Sequence, residues 1–376
     1  MSKLSEMIKE LCPDGVEYKK LGEIAHYAKD RIKISDIDAR NYVGVEHLRQ
    51  NTEGREMSVT LPEVDFVISF YPEDILIGNI RPYLKKAWLA DCNGGTNGDV
   101  LTIRIVDKMY VSPQYLFYIL SSEQFFMYDM KYAKGAKMPR GDKKAVMNYA
   151  IPVPPLAIQN EIVKLLDNFT ELTAELTAEL QLRKKQYSFY RDSLLNFSRD
   201  DAEVEWKTLG ETTKSISSGK NKIRVVDGEY PVYGSTGIIG YCTNFVYEHA
   251  QILVARVGSV GYVQIADGRY DVSDNTLIVD VLSTINMKYI FYYLGYMNLS
   301  RLAHGAGQPL ITAGQLKKLI IPIPPLEKQA KIVSILDRFD ALCHDLTQGL
   351  PAEIAARKKQ YEYYREKLLT FPRKDA

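Results

Sequence analysis

The chain is poor in the residues that usually announce chemistry. Its 376 residues include four cysteines, Cys12, Cys92, Cys242 and Cys343, with no CxxC pair, and five histidines with no HExxH or HxH spacing. Zinc ribbons and zincin-type sites are thereby excluded, and reduced thiols in a cytoplasmic protein are the simplest account. Lys and Arg total 48 against 47 Asp and Glu, a net charge of +1, so no global field draws in a polyanion and any nucleic-acid footprint must be local. No run approaches the roughly 20 apolar residues that a membrane span needs, and Lys3, Glu6, Lys9 and Glu10 interrupt the start as a secretory signal would not allow. Nucleotide and methyltransferase motifs are missing too. Gly219-Lys220 imitates a P-loop, but that pattern needs glycine where Lys214 stands and Ser or Thr where Asn221 stands. Gly258/Gly261 and Gly305/Gly307 do not make GxGxxG, no NPPY-like motif occurs, and His249 and His304 lack positioned partners. The expectation is a chain with no catalytic residue, no metal site and no cofactor of its own.

What the sequence does have is itself, twice. IPVPPL at Ile151 to Leu156 returns as IPIPPL at Ile321 to Leu326; RKKQY at Arg183 to Tyr187 returns at Arg357 to Tyr361; VEYKKLGE at Val16 to Glu23 returns as VEWKTLGE at Val204 to Glu211. After each proline cassette, apolar residues recur three or four apart: Ile162, Leu165, Phe169, Leu172, Leu176, Leu180, Tyr187, Tyr190 and Leu194, then Ile332, Leu336, Phe339, Leu342, Leu346, Leu350, Ile354, Tyr361, Tyr364 and Leu368. That is one face of a helix. Proline in the first turn sets its start, and a run to Asn196 would be ~60 Å long. The tandem units TAEL, Thr173 to Leu176 and Thr177 to Leu180, repeat every four residues against 3.6 per turn and let the seam drift. The second helix should kink or break at Gly349-Leu350-Pro351, where proline removes a backbone donor.

Between the repeats lie two unlike inserts of short strand patterns separated by Gly, Asp, Asn and Pro, without βαβ alternation. Candidate strands are Asn41 to Val45, Val67 to Phe70, Ile75 to Ile77, Val100 to Val106, Ile252 to Val257, Tyr262 to Ala266 and Thr276 to Val281, with helices at Pro113 to Tyr128 and Met287 to Leu299. The expected fold is α+β: two strand-rich mixed domains, residues 1–150 and 199–320, joined by helical spacers, residues 151–198 and 321–376. The spacers pair as an antiparallel coiled coil in a pseudo-twofold internal repeat.

Basic and amide side chains in the inserts are the candidates for contact with phosphates or base edges. The second insert offers Lys214, Ser218, Lys220, Asn221, Lys222 and Arg224 in KSISSGKNKIR, then Ser235 and Thr236 in a turn, Arg256 and Ser259 after a strand, and Gln308 in GAGQPL. The first offers Lys29, Arg31 and Lys33, then Asn79 and Arg81 after a strand, and Lys134, Lys137 and Arg140 in a basic cluster offset by Asp142. Gly135-Ala136 aligns with Gly305-Ala306 at an offset of 170 residues, as it would in two readers of different half-sites. A solvated surface accounts equally well for any single lysine, and turn geometry for the glycines.

Taken in order, CPDGVEYKKLGE, IPVPPLAIQNEIVKLLDNF with IPIPPLEKQAKIVSILDRF, the TAEL units and LPAEIAARKKQYEYYREKLL resemble the specificity subunit of type I restriction-modification enzymes over the whole chain. The resemblance implies two target recognition domains, each reading half of a bipartite site on double-stranded DNA, with the helices fixing their separation. It also implies partners: two methyltransferase subunits that use S-adenosylmethionine, and two ATP- and Mg-dependent restriction/translocase subunits in the full complex. The competing reading is a coiled-coil scaffold whose inserts bind protein or carbohydrate.

Overall fold

The computed structural model describes residues 2–305, 307–345 and 348–374; Ala306 and Leu346, named above, lie outside them. The chain divides into two compact units, residues 1–175 with 354–376, and residues 176–353. Unit 1 holds α1 (Ser2–Leu11), β1 (Tyr18–Lys20), α2 (Leu21–Ile24), β2 (Ala25–Tyr27), β3 (Arg31–Lys33), β4 (Tyr42–Val43), β5 (Phe66–Phe70), β6 (Ile75–Gly78), β7 (Ala87–Leu89), β8 (Gly94–Thr96) and β9 (Val100–Ile105). It continues through α3 (Pro113–Leu120), α4 (Glu123–Tyr132), α5 (Lys143–Met147), β10 (Ala150–Pro152) and the start of α6 (Leu156–Leu195). Unit 2 takes up the rest of α6 and adds β11 (Glu205–Thr208), β12 (Thr213–Ser218), β13 (Tyr230–Gly234), β14 (Gly237–Cys242), β15 (Gln251–Ala255), β16 (Val263–Ala266), β17 (Asp271–Val272) and β18 (Thr276–Val281). It ends with α7 (Met287–Tyr296), α8 (Ala313–Lys317), β19 (Ile320–Ile323), α9 (Leu326–His344) and the first residues of α10 (Leu350–Leu368).

The two units repeat one topology. In unit 1 a four-stranded antiparallel sheet runs β2-β9-β6-β7; in unit 2 its counterpart runs β12-β18-β15-β16. Both carry a second sheet built of fewer residues, four short strands β3-β5-β8-β4 in unit 1 and three, β14-β13-β17, in unit 2, each with one parallel pairing, β4 on β8 and β13 on β17. A two-stranded tie closes each unit in the same register, with Lys19 opposite Ile151 and Lys207 opposite Ile321. These pairings join the duplicated VEYKKLGE and VEWKTLGE segments to the duplicated proline cassettes.

The proline cassettes start the helices where expected, α6 at Leu156 and α9 at Leu326, and the second arm breaks between His344 and Leu350. Inside each unit the helices pair antiparallel. Phe169 on α6 stacks on Tyr364 of α10 in unit 1, and Tyr190 on α6 stacks on Phe339 of α9 in unit 2. The boundary between the units falls inside the TAEL run, with the start of α6 in unit 1 and its end in unit 2. The helix expected at Pro113 to Tyr128 is two helices. Ser122 caps α4 by accepting from the Phe125 N–H, and a serine N-cap starts a new helix more readily than it continues an old one. Met287 to Leu299 likewise ends early, at Tyr296, and resumes as a single 3-10 turn at Leu299–Leu302.

A buried polar lattice, identical in plan, locks helix to sheet in both units. Gln159 accepts from the Ser112 N–H at 2.8 Å and donates to Pro154 O at 2.8 Å and Tyr110 O at 3.0 Å. Gln329 accepts from the Asn286 N–H at 2.9 Å and donates to Pro324 O at 2.8 Å. Tyr115 and Tyr289 donate to Pro152 O and Pro322 O, while Tyr118 and Tyr292 donate to Asp167 and Asp337. Buried polar groups cost free energy unless partnered, so each such lattice fixes one geometry of helix against sheet.

Candidate nucleic-acid interface

In each unit the central strand of the larger sheet ends in a corner, and a short basic or polar hairpin closes over it. In unit 1 Lys134 and Arg140 exchange backbone hydrogen bonds, both 2.9 Å, around Gly135 at φ +105°, a backbone shape that glycine adopts freely. In unit 2 His304 and Leu310 do the same at 3.2 and 3.1 Å around Gly305 at φ +124°. The hairpin is tied to the strand corner identically: Gly141 N–H donates to Asn79 O, and Ile311 N–H donates to Arg256 O, both at 3.1 Å. Asn79 N–H and Arg256 N–H in turn bond Asp99 O and Asn275 O, both at 2.9 Å. Asn79 and Arg256 therefore occupy one structural position, and two residues on, Arg81 (φ +52°) and Gly258 (φ +79°) share the left-handed region. Arginine there is strained, a cost that persists where the surroundings enforce it and often marks a functional corner.

The structure gathers the candidates of unit 2 around this corner. Arg256 is half-buried with its Nε unpartnered, Ser259, Thr236 and Gln308 are exposed, and Ser235 Oγ donates to Val257 O at 2.7 Å. Lys220, Lys222 and Arg224 lie on the exposed segment after β12, with Lys222 4.0 Å from Asp274. Three candidates differ from expectation. Ser218 Oγ is spent on Asp274 O at 3.2 Å, and Asn221 forms a local turn, donating to Asp271 at 2.6 Å and accepting from the Ile223 N–H at 3.0 Å. Lys214 sits at the other end of β12, ~13 Å away along the strand, and faces Asp280 at 4.0 Å. No acidic residue adjoins these lysines in sequence, yet strand pairing brings two across.

In unit 1 the same corner presents Arg81, Lys134, Lys137 and Arg140, all exposed. Two of them have partners, Arg140 with Asp99 and Lys134 with Asp142, both at 2.8 Å. Lys134 and two backbone N–H groups hold the Asp142 carboxyl down to about 2. Exposed pairs of this kind hold little stability, since solvent screens them. Arg31 lies across the smaller sheet, two strands or ~10 Å from Thr96 beside the corner, with Lys29 and Lys33 flanking it. Asn79 is the correction: it is buried, and its backbone rather than its side chain serves the corner.

Sequence reasoning missed what lies beneath. Asp129 on α4 is fully buried and neither carboxylate oxygen has a partner; Asn79 Oδ1 is also unpartnered. Burial, and then the charge of Asp142, push Asp129 up to about 6. A Cβ at residue 141 would stand 2.5 Å from Asp129 Oδ1 and 2.8 Å from Asn79 Oδ1, which explains Gly141. Unit 2 has Ile311 at that place and the apolar Leu299 beneath it. A lone aspartate between apolar aromatic positions in QFFMYDMKY was the one available signal.

Two stretches, residues 13–183 and 203–356, match the family model described as the type I restriction modification DNA specificity domain. The chain belongs to that family. A relative, the type I restriction enzyme EcoR124I/EcoR124II specificity subunit of Escherichia coli, is 37% identical over 282 residues, 63% of this chain and 68% of that one. The putative specificity subunit S.HindORF215P of Haemophilus influenzae is 30% identical over 388 residues, covering 95% and 96% of the two chains. Among solved structures, the S subunit of a type I system from M. genitalium superposes with a TM-score of 0.62 at 16% identity, covering 94% and 96%. The HsdS subunit from Thermoanaerobacter tengcongensis gives 0.53 at 20%, covering 96% and 97%, and both are likenesses of fold. The two specificity domains thus coincide with the two copies of the corner: a shared backbone frame carrying unlike side chains. Among the described residues no helix is long and apolar enough to cross a membrane.

Proposed function

We propose that the chain is the DNA-recognition subunit of a type I restriction-modification complex, in which each corner reads one half of a bipartite site. The observation that carries this is the pairing of a conserved frame with divergent tips: Asn79 against Arg256, Lys137-Met138 against Gly307-Gln308, Gly141 against Ile311. A scaffold that bound one ligand twice would repeat the tips as well. Arg256 is suited to a guanine edge and Gln308 to an adenine edge, each good bidentate pair discriminating by ~1–3 kcal/mol. In unit 1 the base-edge role falls to Arg140 at the tip of the corner, while Arg81, Lys134, Lys137, Lys220, Lys222 and Arg224 serve the phosphates, with Arg31 and its neighbours at the margin.

The chain in this reading carries no catalytic group. Two methyltransferase subunits bring S-adenosylmethionine, and two restriction/translocase subunits bring ATP and Mg, in the cytoplasm. The helices dock the methyltransferases and set the gap between half-sites. Inserting one further TAEL unit after Leu180 lengthens α6 by ~6 Å. The methylated motif should then keep both half-sequences and widen its gap by about one or two base pairs, at ~3.4 Å per pair. An unchanged gap would contradict the role of the helices as a spacer.

A further inference from the structure

The duplication is incomplete in one place. In unit 1, α1 lies on the outer face formed by α6 and the segment after α10: Lys3 reaches Glu161 at 3.1 Å, Leu4 is in the core that contains Ile158, Ile162, Leu368 and Phe371, and Met7, Ile8 and Cys12 pack against it. Among the described residues, unit 2 has no helix in that position. The residue before β11 that corresponds to the end of α1 is reached by a short turn, Phe197 to Val204, and the matching face stands open as a groove of about 330 Å³. Its lining is the same set of repeat positions: Leu194, Phe197, Ile332 and Ile335 answer to Leu368, Phe371, Ile162 and Leu165.

Burial follows the missing cover. Phe371 and Leu368 are 7% and 8% exposed, whereas Phe197 and Leu194 are only half-buried and Ile335 is 38% exposed. The polar rim, however, is reversed. Glu161, the partner of Lys3, is replaced by Lys331, and the buried Ile158 by Lys328. Lys328 lies over the Phe197 ring at 5.6 Å and 3.4 Å from Asp201; among the described residues the ion-pair partner of Lys331 is Glu327, one turn back on its own helix and 82% exposed. A second copy of α1 would bring Lys3 against Lys331.

We propose that this groove of unit 2 docks an amphipathic helix of a partner protein, about three turns long, with an acidic residue where α1 carries Lys3. The occupant meets Leu194, Phe197, Ile332 and Ile335 with an apolar stripe spaced as Leu4, Met7 and Ile8 are in α1, and pairs its carboxylate with Lys331. The groove is built from helix faces rather than from the loops of the DNA corner, so the proposal stands whether or not those loops read DNA.

The test uses the full-length chain and two fluorescent ten-residue peptides of the α1 sequence, stapled across the outward positions 6 and 10: one native, one with Lys3→Glu. In anisotropy titrations the wild-type chain should bind the Lys3→Glu peptide about tenfold more tightly. Lys331→Glu, at a largely exposed position that leaves the fold intact, should reverse that preference in favour of the native peptide, and Ile335→Asp should lose both. Equal binding of the two peptides, binding of neither, or a wild-type preference for the native sequence, which would make a second copy the occupant, overturns the proposal.

Discussion

Unit 1 and unit 2 share the larger sheet, the two-stranded tie and the helix that follows it, and differ at the tips of their corners. Gln159 and Gln329 donate to Pro154 O and Pro324 O, Tyr115 and Tyr289 donate to Pro152 O and Pro322 O, and Asp167 and Asp337 accept from the Tyr118 and Tyr292 hydroxyls. The corners above them do not match: one covers an unpartnered, buried Asp129 and Asn79, the other an Arg256 whose Nε finds no partner and an apolar Leu299. The difference teaches where each kind of selection acts. Fixing helix to sheet leaves little freedom, because a buried polar atom without a partner costs more than a partnered one gains. The corner residues carry polar potential left unsatisfied by the fold, which is where a ligand can supply the missing bonds.

The largest effects should come from breaking the shared frame. Gln159→Ala orphans Ser112 N–H, Tyr110 O and Pro154 O, whereas Gln329→Ala orphans only Asn286 N–H and Pro324 O. At ~2 kcal/mol for each group left unpaired, unit 1 should lose ~6 kcal/mol and unit 2 ~4 kcal/mol. Hydrogen exchange followed separately in the two units reads the losses, and a cost confined to neither unit would mean that the lattice does not hold the helices.

A smaller effect of opposite sign should mark unit 1 alone. Asp129 titrates near 6 in the folded chain, above its ordinary carboxyl range, so the native state holds the proton more tightly than the unfolded one. Its stability is fullest below about pH 4 and declines as pH rises through about 6. Asp129→Asn removes the buried charge and should stabilise unit 1 by up to ~3 kcal/mol at pH 8, from about two pKa units at 1.36 kcal/mol each, with the gain vanishing at pH 4. Denaturant midpoints at the two pH values check it, and a gain independent of pH would contradict it. Smallest of all, Lys137→Ala in unit 1 and Lys220→Ala in unit 2 should each flatten the salt dependence of DNA binding by about one unit of slope, and equally.

Much of the frame was legible in the sequence because it is repeated. The proline cassettes placed the starts of α6 and α9, Gly349-Pro351 placed the break, and six of the seven strand candidates lie within a residue of an observed strand or enclose one. The site was less legible, for reasons of geometry. Lys214 and Ser218 are four residues apart in one basic segment, yet an extended strand carries them to opposite ends of a sheet. Asp280 and Asp274 come to Lys214 and Lys222 through pairing between β12 and β18 and the turn beside it, at separations no local pattern reports. Asn79 looked available because it follows a strand, but the hairpin at 134–140 closes over it, tied by the bond from Gly141, 62 positions away. The helix at Pro113 to Tyr128 broke because two serines that read as helix interior are a cap and its approach.

The central claim is that each corner reads its own half of the DNA site. Genome-wide mapping of methylated bases in strains carrying Arg256→Ala or Arg140→Ala tests it most directly. Arg256→Ala should relax one or two positions in one half of the bipartite motif, and Arg140→Ala should disturb only the other half, with the gap unchanged in both. If either substitution loosened both halves together, or left the motif as it was, the division of labour between the two units would be contradicted.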